Sequence, residues 1–275
     1  MSIKIQKSGG AKMKKKVILA LVGVMICGVV MAGCGSKQEK VNTLDKVKES
    51  KVFKIGLSPD YPPFEYTNDK NEIVGFDIDL SNAIAEKLGA KTEIVTVPFD
   101  GIVQGLKSNK FDMVASGFTV TEKRQNEVLF TDNYLNSGQY IVLNTENNDI
   151  KTVEDLKGKT IGVGIGTTSA DAAKKIEGVK EVKEYNKTPE GLLDLKNKRI
   201  DAVVVDKPVC DYYLDKDKGS YKKIDANIEE EPIALAFKKE DTQIQQEVNK
   251  ILKELKEDGT LSKLSEKWFG FDAYK

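Results

Sequence analysis

From Phe53 onward this chain alternates short apolar strands with amphipathic helices, and it does so twice. That alternation restricts it to α/β architectures. Phe53-Lys54-Ile55-Gly56-Leu57 reads as a strand, and Pro59, Pro62 and Pro63 break the pattern after it. Leu80, Ala83, Ile84 and Leu88 fall at helical spacing, with Asp77 placed to cap that helix and Gly89 placed to end it. Residues 92–97 predict a second strand, 101–107 a short helix and 112–116 a third strand, which together make a βαβαβ unit. The pattern returns after Lys151. Residues 160–163 and 181–185 read as strands, 189–195 as a helix, and Ile200-Asp201-Ala202-Val203-Val204-Val205 as a strand apolar enough to be covered on both faces. A helix over 207–214 and a strand over 233–237 follow. Ile244, Val248, Ile251, Leu252 and Leu255 then stripe a long helix over 242–258 that Gly259 ends, and a last helix over 261–269 carries Trp268 and Phe269 into lobe packing.

The N-terminus is of a different kind. Lys14, Lys15 and Lys16 precede an apolar stretch over 17–30, and Met31-Ala32-Gly33-Cys34 closes it. A basic region, a short apolar run and small residues are the parts of a secretory signal. The cysteine directly after them resembles the lipobox of bacterial lipoproteins, with Met31 standing where leucine is more usual. The alternative is an uncleaved transmembrane anchor, but a run of about fifteen residues is short of the ~20 that span a bilayer. The expectation is therefore a signal peptide over 1–33, an acylated Cys34, and a mature protein held on the extracellular face of the cytoplasmic membrane. Residues 34–49 are polar and lysine-rich and read as a flexible tether.

Residues 1–33 hold six lysines and no acid, so the rest of the chain carries 37 basic against 43 acidic residues, a net charge of −6. That balance argues against nucleic acid as a partner. There is no histidine, which removes Ser-His-Asp and Cys-His chemistry and most zinc sites, so neither a metal nor a cofactor is expected. Of three cysteines, Cys27 lies in the signal, Cys34 at its end, and Cys210 stands alone, read as a small buried hydrophobe.

Five segments then carry a resemblance. Ser58-Pro59-Asp60-Tyr61-Pro62-Pro63-Phe64, Gly75-Phe76-Asp77-Ile78-Asp79-Leu80 and Thr119-Val120-Thr121-Glu122-Lys123-Arg124 are the first three. Leu156-Lys157-Gly158-Lys159 and Asp201-Ala202-Val203-Val204-Val205-Asp206 follow in order. Across residues 50–270 the chain resembles the polar-amino-acid-binding proteins of ABC importers, extracellular solute-binding family 3. The resemblance implies a two-lobed periplasmic-binding-protein fold of type II, with two α/β lobes joined by two hinge strands. On that pattern lobe 1 comprises 50–138 and 234–275, lobe 2 comprises 139–233, and the chain crosses near 136–142 and 231–236.

The same resemblance assigns a site. Arg124 matches the carboxylate-binding arginine, whose planar fork suits a bidentate pair. Thr119 adds a hydroxyl and an N–H. Gly164, Thr167 and Thr168 bring a helix start, where an anion is favoured. Asp206 matches the acid that holds the ammonium, and Ser116 and Gly117 offer it further oxygens. Tyr61 and Phe99 match the aromatic pair around the ligand side chain. Ser58 occupies the place where relatives that bind lysine-like cations carry an acid. Asp60 is expected to point out of the cleft, and both features weigh against a strongly cationic ligand.

Plainer readings exist for each. Thr121 to Arg124 also reads as an ordinary helix cap with solvated charges, Asp206 as the cap of the helix at Lys207, and Tyr61 and Phe99 as core. Gly164-Ile165-Gly166 lacks the Lys-Ser/Thr of a phosphate loop. The expected function is capture of a free polar L-amino acid by a lipid-anchored monomer that delivers it to an ABC permease. The rivals are a cyclohexadienyl-dehydratase-like enzyme on the same fold and an amino-acid-sensing receptor domain.

Overall fold

The computed structural model describes residues 42–225 and 231–275. The segment read as a signal peptide, Cys34 and the start of the segment read as a tether lie outside the described residues. Two five-stranded sheets share one plan. In the first, strand Val52–Leu57 lies between Lys91–Thr96 and Met113–Val114, parallel to both. Ala236–Phe237 then pairs antiparallel with Met113–Val114 and with Leu129–Phe130 at the edge. In the second, Thr160–Gly164 lies between Glu181–Tyr185 and Ala202–Asp206, again parallel, and Gln139–Asn144 and Tyr221–Asp225 complete it antiparallel. Parallel pairs need crossover helices on the sheet faces, and the alternation in the sequence supplies them.

Two strands connect the sheets. Leu135–Ser137 runs from the first toward the second, Glu231–Ile233 runs back, and the two pair antiparallel as a ribbon. Here one expected strand divides. Residues 233–237 are not continuous: Ile233 ends the ribbon, and Ala236 begins the strand in the first sheet. The apolar run conceals this break because the bend residues, Ala234 and Leu235, are themselves fully buried.

Ala202–Asp206 shows why an unbroken apolar run was required. Ala202 and Val204 pack with Ile141 and Ile161 on one face, while Val203 and Val205 pack with Leu192, Leu195 and Cys210 on the other. The long helix spans Thr242–Glu257, with its five predicted apolar residues buried, and Gly259 opens the next helix, Thr260–Phe269. Phe269 stacks on Phe76 with ring centroids 4.8 Å apart.

Two expectations require correction. Asp77 caps nothing: helix Phe76–Lys87 starts after Gly75 without a side-chain cap, and Asp77 is buried within its first turn. The tether reading fails from Thr43, because Thr43–Ser50 is a helix capped by the side chain of Asn42. Val47 is its one buried apolar residue, and Thr43 Oγ1 donates to Asp241 Oδ1 at 2.8 Å. Lys46 pairs with Asp112 at 2.8 Å. Leu44 packs partly buried beside Val47, but two apolar residues in one lysine-rich stretch are too short a pattern to stand out, so composition made the segment look like a spacer. Among the described residues no helix is long and apolar enough to cross a membrane.

Candidate functional site

The parallel strands of both sheets end at one shared cavity. Open α/β sheets bind ligands at the carboxyl ends of their strands because loops and helix starts converge there. From the first half come Ser58, Asp60, Tyr61, Phe99, Gly117, Thr119 and Arg124; from the second come Gly164, Ile165, Thr167, Thr168, Asn186, Thr188 and Asp206.

Arg124 sits in the helix Glu122–Glu127, whose cap is Thr121, with Thr121 Oγ1 accepting from the Arg124 N–H at 3.1 Å. The cap reading of this segment therefore holds for its backbone, while the guanidinium reaches the cavity. There Nη1 donates to the Thr119 carbonyl at 2.7 Å and Nη2 to the Gly166 carbonyl at 3.1 Å. The guanidinium carbon lies 4.2 Å from the Phe118 ring centroid and 5.4 Å from that of Phe99. A guanidinium has five N–H donors, so three remain for an anion. Burial lowers its pKa to about 10, against the opposing pull of Asp206 and Glu231, and it stays a cation at neutral pH.

Asp206 ends a buried strand and is 4 % exposed. Its side chain makes no capping bond to the helix Lys207–Lys216 and instead accepts from the Tyr61 hydroxyl at 2.8 Å. Burial first, and the charge of Glu231 second, push its pKa up to about 7; the Tyr61 hydrogen bond and Arg124 oppose the shift. A ligand cation beside Asp206 would draw that value down again.

Two of these contacts, Tyr61 to Asp206 and Arg124 to Gly166, run between the halves, so the cavity is closed over. The approach is tight at Gly166, where φ is +75° and a Cβ would lie 3.1 Å from the Asp100 Cα. Only glycine suits both conditions.

Thr167 caps the helix Thr168–Lys174, accepting from the Ala170 N–H at 3.2 Å and donating to the Gly164 carbonyl at 2.7 Å. Thr168 Oγ1 donates to Glu231 at 2.8 Å and accepts from Gln139 at 3.1 Å. Both hydroxyls are committed, so what this helix start still has to offer a ligand is backbone N–H.

Ten of the eleven residues expected at the site line this cavity, and Ser116 is the exception. It is fully buried, donates to Glu65 Oε1 at 2.6 Å and accepts from the Ser58 N–H at 3.1 Å, so its hydroxyl is turned into the lobe. Asp60 corrects a second expectation: it lines the cavity, at a rim shared with an outer groove, and accepts from Ser58 Oγ at 3.1 Å. The Ser-x-Asp spacing is the signal that was available for it. Ile165, Asn186 and Thr188 line the second wall without any sequence signal. Cys210 is buried as expected, and burial raises its thiol to about 12, which keeps it unreactive.

The chain matches the bacterial extracellular solute-binding proteins, family 3, over residues 53–271. It is 35% identical over 260 residues to the arginine-binding extracellular protein ArtP of Bacillus subtilis (strain 168), covering 93% of this chain and 98% of that one. It is 32% identical over 258 residues to the L-cystine-binding protein TcyJ of Escherichia coli (strain K12), covering 93% and 97%. Among solved structures, the ancestral amino acid-binding protein AncCDT-1, a precursor of cyclohexadienyl dehydratase, superposes with a TM-score of 0.77 at 37% identity, over 83% of this chain and 99% of that one. Two halves of one plan, a cavity at their strand ends and a match along nearly the whole described chain lead to one statement: the chain belongs to the bacterial extracellular solute-binding proteins, family 3.

Proposed function

We propose that this chain captures a free polar L-amino acid between its two lobes and delivers it to the membrane subunits of an ABC importer. The observation that carries the reading is the placement of one cation, Arg124, and one buried acid, Asp206, around the same closed cavity. An α-amino acid presents a carboxylate to the first and an ammonium to the second. Tyr61 and Phe99 then flank the side chain, and the helix start at Thr168 adds N–H donors to the carboxylate. An amino acid of about ten heavy atoms binding at micromolar Kd needs ~0.8 kcal/mol per atom, below the ~1.5 ceiling, provided enclosure is nearly complete.

Asp60 at the cavity rim changes the ligand class. With Ser58 it places acceptors in the cavity, which favours a side chain bearing N–H donors over an apolar one. Relatives that bind arginine and cystine bracket this range. A thermal-shift screen of the twenty standard amino acids with ornithine and cystine tests it, and the largest shift is expected from a nitrogen-rich side chain. A screen with no shift would remove the reading.

The chain is further proposed to work as a monomer on the extracellular face of the cytoplasmic membrane, anchored through an acylated Cys34. Fatty-acid labelling lost in Cys34→Ala supports this, and unchanged labelling refutes it. One observation favours a second reading, since an acid held near 7, as Asp206 is, has the pKa of a general acid. In a dehydratase that proton would assist a leaving hydroxyl. Turnover of prephenate or arogenate separates the enzyme from the binder, and none is expected.

A further inference from the structure

Behind the first wall of the cavity lies a pair of acids that ligand contact leaves unused. Glu65, in strand Glu65–Thr67, and Asp77, in helix Phe76–Lys87, are both fully buried. Asp77 accepts from the Gly117 N–H at 2.7 Å and from the Tyr134 hydroxyl at 2.7 Å. Glu65 Oε1 accepts from Ser116, but its Oε2 is buried with no donor. The charged groups acting on Glu65 are Asp77 and Asp60, both acids. The other titratable neighbours are Tyr61, Tyr134 and Tyr274, whose hydroxyl donates to the Tyr134 carbonyl at 2.7 Å. Two adjoining carboxylates without a cation cannot both ionise.

We propose that Glu65 and Asp77 hold a single proton between them, carried on Glu65 Oε2 and donated to Asp77, and that this pair positions the Ser58, Tyr61 and Gly117 wall of the cavity. The proton gives the orphaned oxygen its partner and leaves Asp77, the ionised member, with three donors. Burial acts in the same direction, raising Glu65 well above the carboxylate range and Asp77 to about 6. The positioning runs through two short links. Glu65 orients Ser116, whose oxygen receives the Ser58 N–H. Asp77 holds Gly117 at φ +49°, with its Cα position pressed against the Tyr61 ring so that a Cβ would lie 3.2 Å from it. Glu65 and Asp77 touch no ligand and act only through these residues. Should the pair lose its proton at alkaline pH, two charges would face each other and that wall would loosen.

The effect on affinity rests on the amino-acid reading; the proton itself does not. Infrared spectra of the wild-type protein at pH 8 test the proton, with a protonated carboxylic acid band expected there and absent from Glu65→Gln. Titrations with L-arginine, L-glutamine and L-cystine, using the tightest as probe, test the positioning. Glutamine at 65 keeps both an acceptor for Ser116 and a donor for Asp77, so affinity should stay within about twofold of wild type. Asp77→Asn turns an amide donor toward Gly117 or Tyr134 and should weaken binding at least about tenfold. A wild-type spectrum without the band overturns the proposal even if a variant fails to fold, as does equal damage from the two substitutions. If no probe binds wild type, the amino-acid reading fails while the band still decides the proton.

Discussion

The two lobes share a strand order but meet the cavity with different chemistry. The first presents side chains: the Arg124 guanidinium, the Tyr61 and Phe99 rings, and the Asp60 carboxylate. The second presents the turn from Gly164 to Thr168 with the helix start behind it, the uncharged Asn186 and Thr188, and Asp206 as the charged group among its lining residues. The difference follows from how each wall is supported. Glu65, Asp77, Ser116 and Tyr134 are buried behind the first wall and hold its backbone, which frees side chains to point inward. In the second, the Thr167 and Thr168 hydroxyls are spent on capping and on Glu231, so N–H groups are what remains. Equivalent frameworks thus yield one wall rich in aromatic and charged side chains and one built around a glycine turn, a helix start and a single acid.

The largest expected effect lies on the first wall. Arg124→Ala removes a charged, multiply hydrogen-bonded partner worth ~1.5–3 kcal/mol, so affinity should fall tenfold or more by calorimetry. The melting temperature of the ligand-free protein should barely move, because the guanidinium's protein partners are two carbonyls that other groups or water can satisfy. Wild-type affinity in this variant would place the carboxylate elsewhere.

The second wall should answer to pH. Asp206 is raised from its usual 3.8 to about 7, so the ligand-free folded protein binds a proton there that the unfolded chain does not. This group's contribution to ligand-free stability is therefore present at low pH and lost as pH rises through about 7. An ammonium ligand needs the ionised form, so affinity should rise about 25-fold between pH 5.5 and 7.5 and then level. Calorimetry at pH 6 should also show proton release that depends on the buffer. Asp206→Asn should flatten both responses. A flat wild-type profile would contradict the buried-acid role.

Much of the fold was legible in the sequence because the reasons were local: the stripe from Ile244 to Leu255 could only be a helix against a core, and 202–206 could only be a covered strand. Arg124 and Asp206 were placed at the site by the family resemblance, since locally each also read as part of a helix cap. What escaped was decided by distant partners. Ser116 looked like a ligand contact until Glu65, 51 residues away in sequence, claimed its hydroxyl. Asp77 looked like a cap, yet it bonds Gly117 and Tyr134 across the lobe. The helix Thr43–Ser50 depends on Asp241 and Asp112, which no window around it contains.

That helix supplies the smallest test, since it packs on the first lobe away from either wall. Val47→Ala should lower stability by about 1–2 kcal/mol, the loss of part of a buried side chain, without changing affinity. Denaturant melts of the mature protein check it, and no change would mean that the segment behaves as the tether the sequence suggested.

The central claim is that Arg124 and Asp206, one from each wall, hold the carboxylate and the ammonium of one zwitterion. It is tested most directly by calorimetric titration of the best-binding amino acid beside the same molecule lacking its α-amino group. An analogue without the ammonium leaves Asp206 buried and unpaired, which predicts a Kd weaker by at least about tenfold at pH 7.5. Equal affinity for the two would remove Asp206 from the ammonium site and contradict the account.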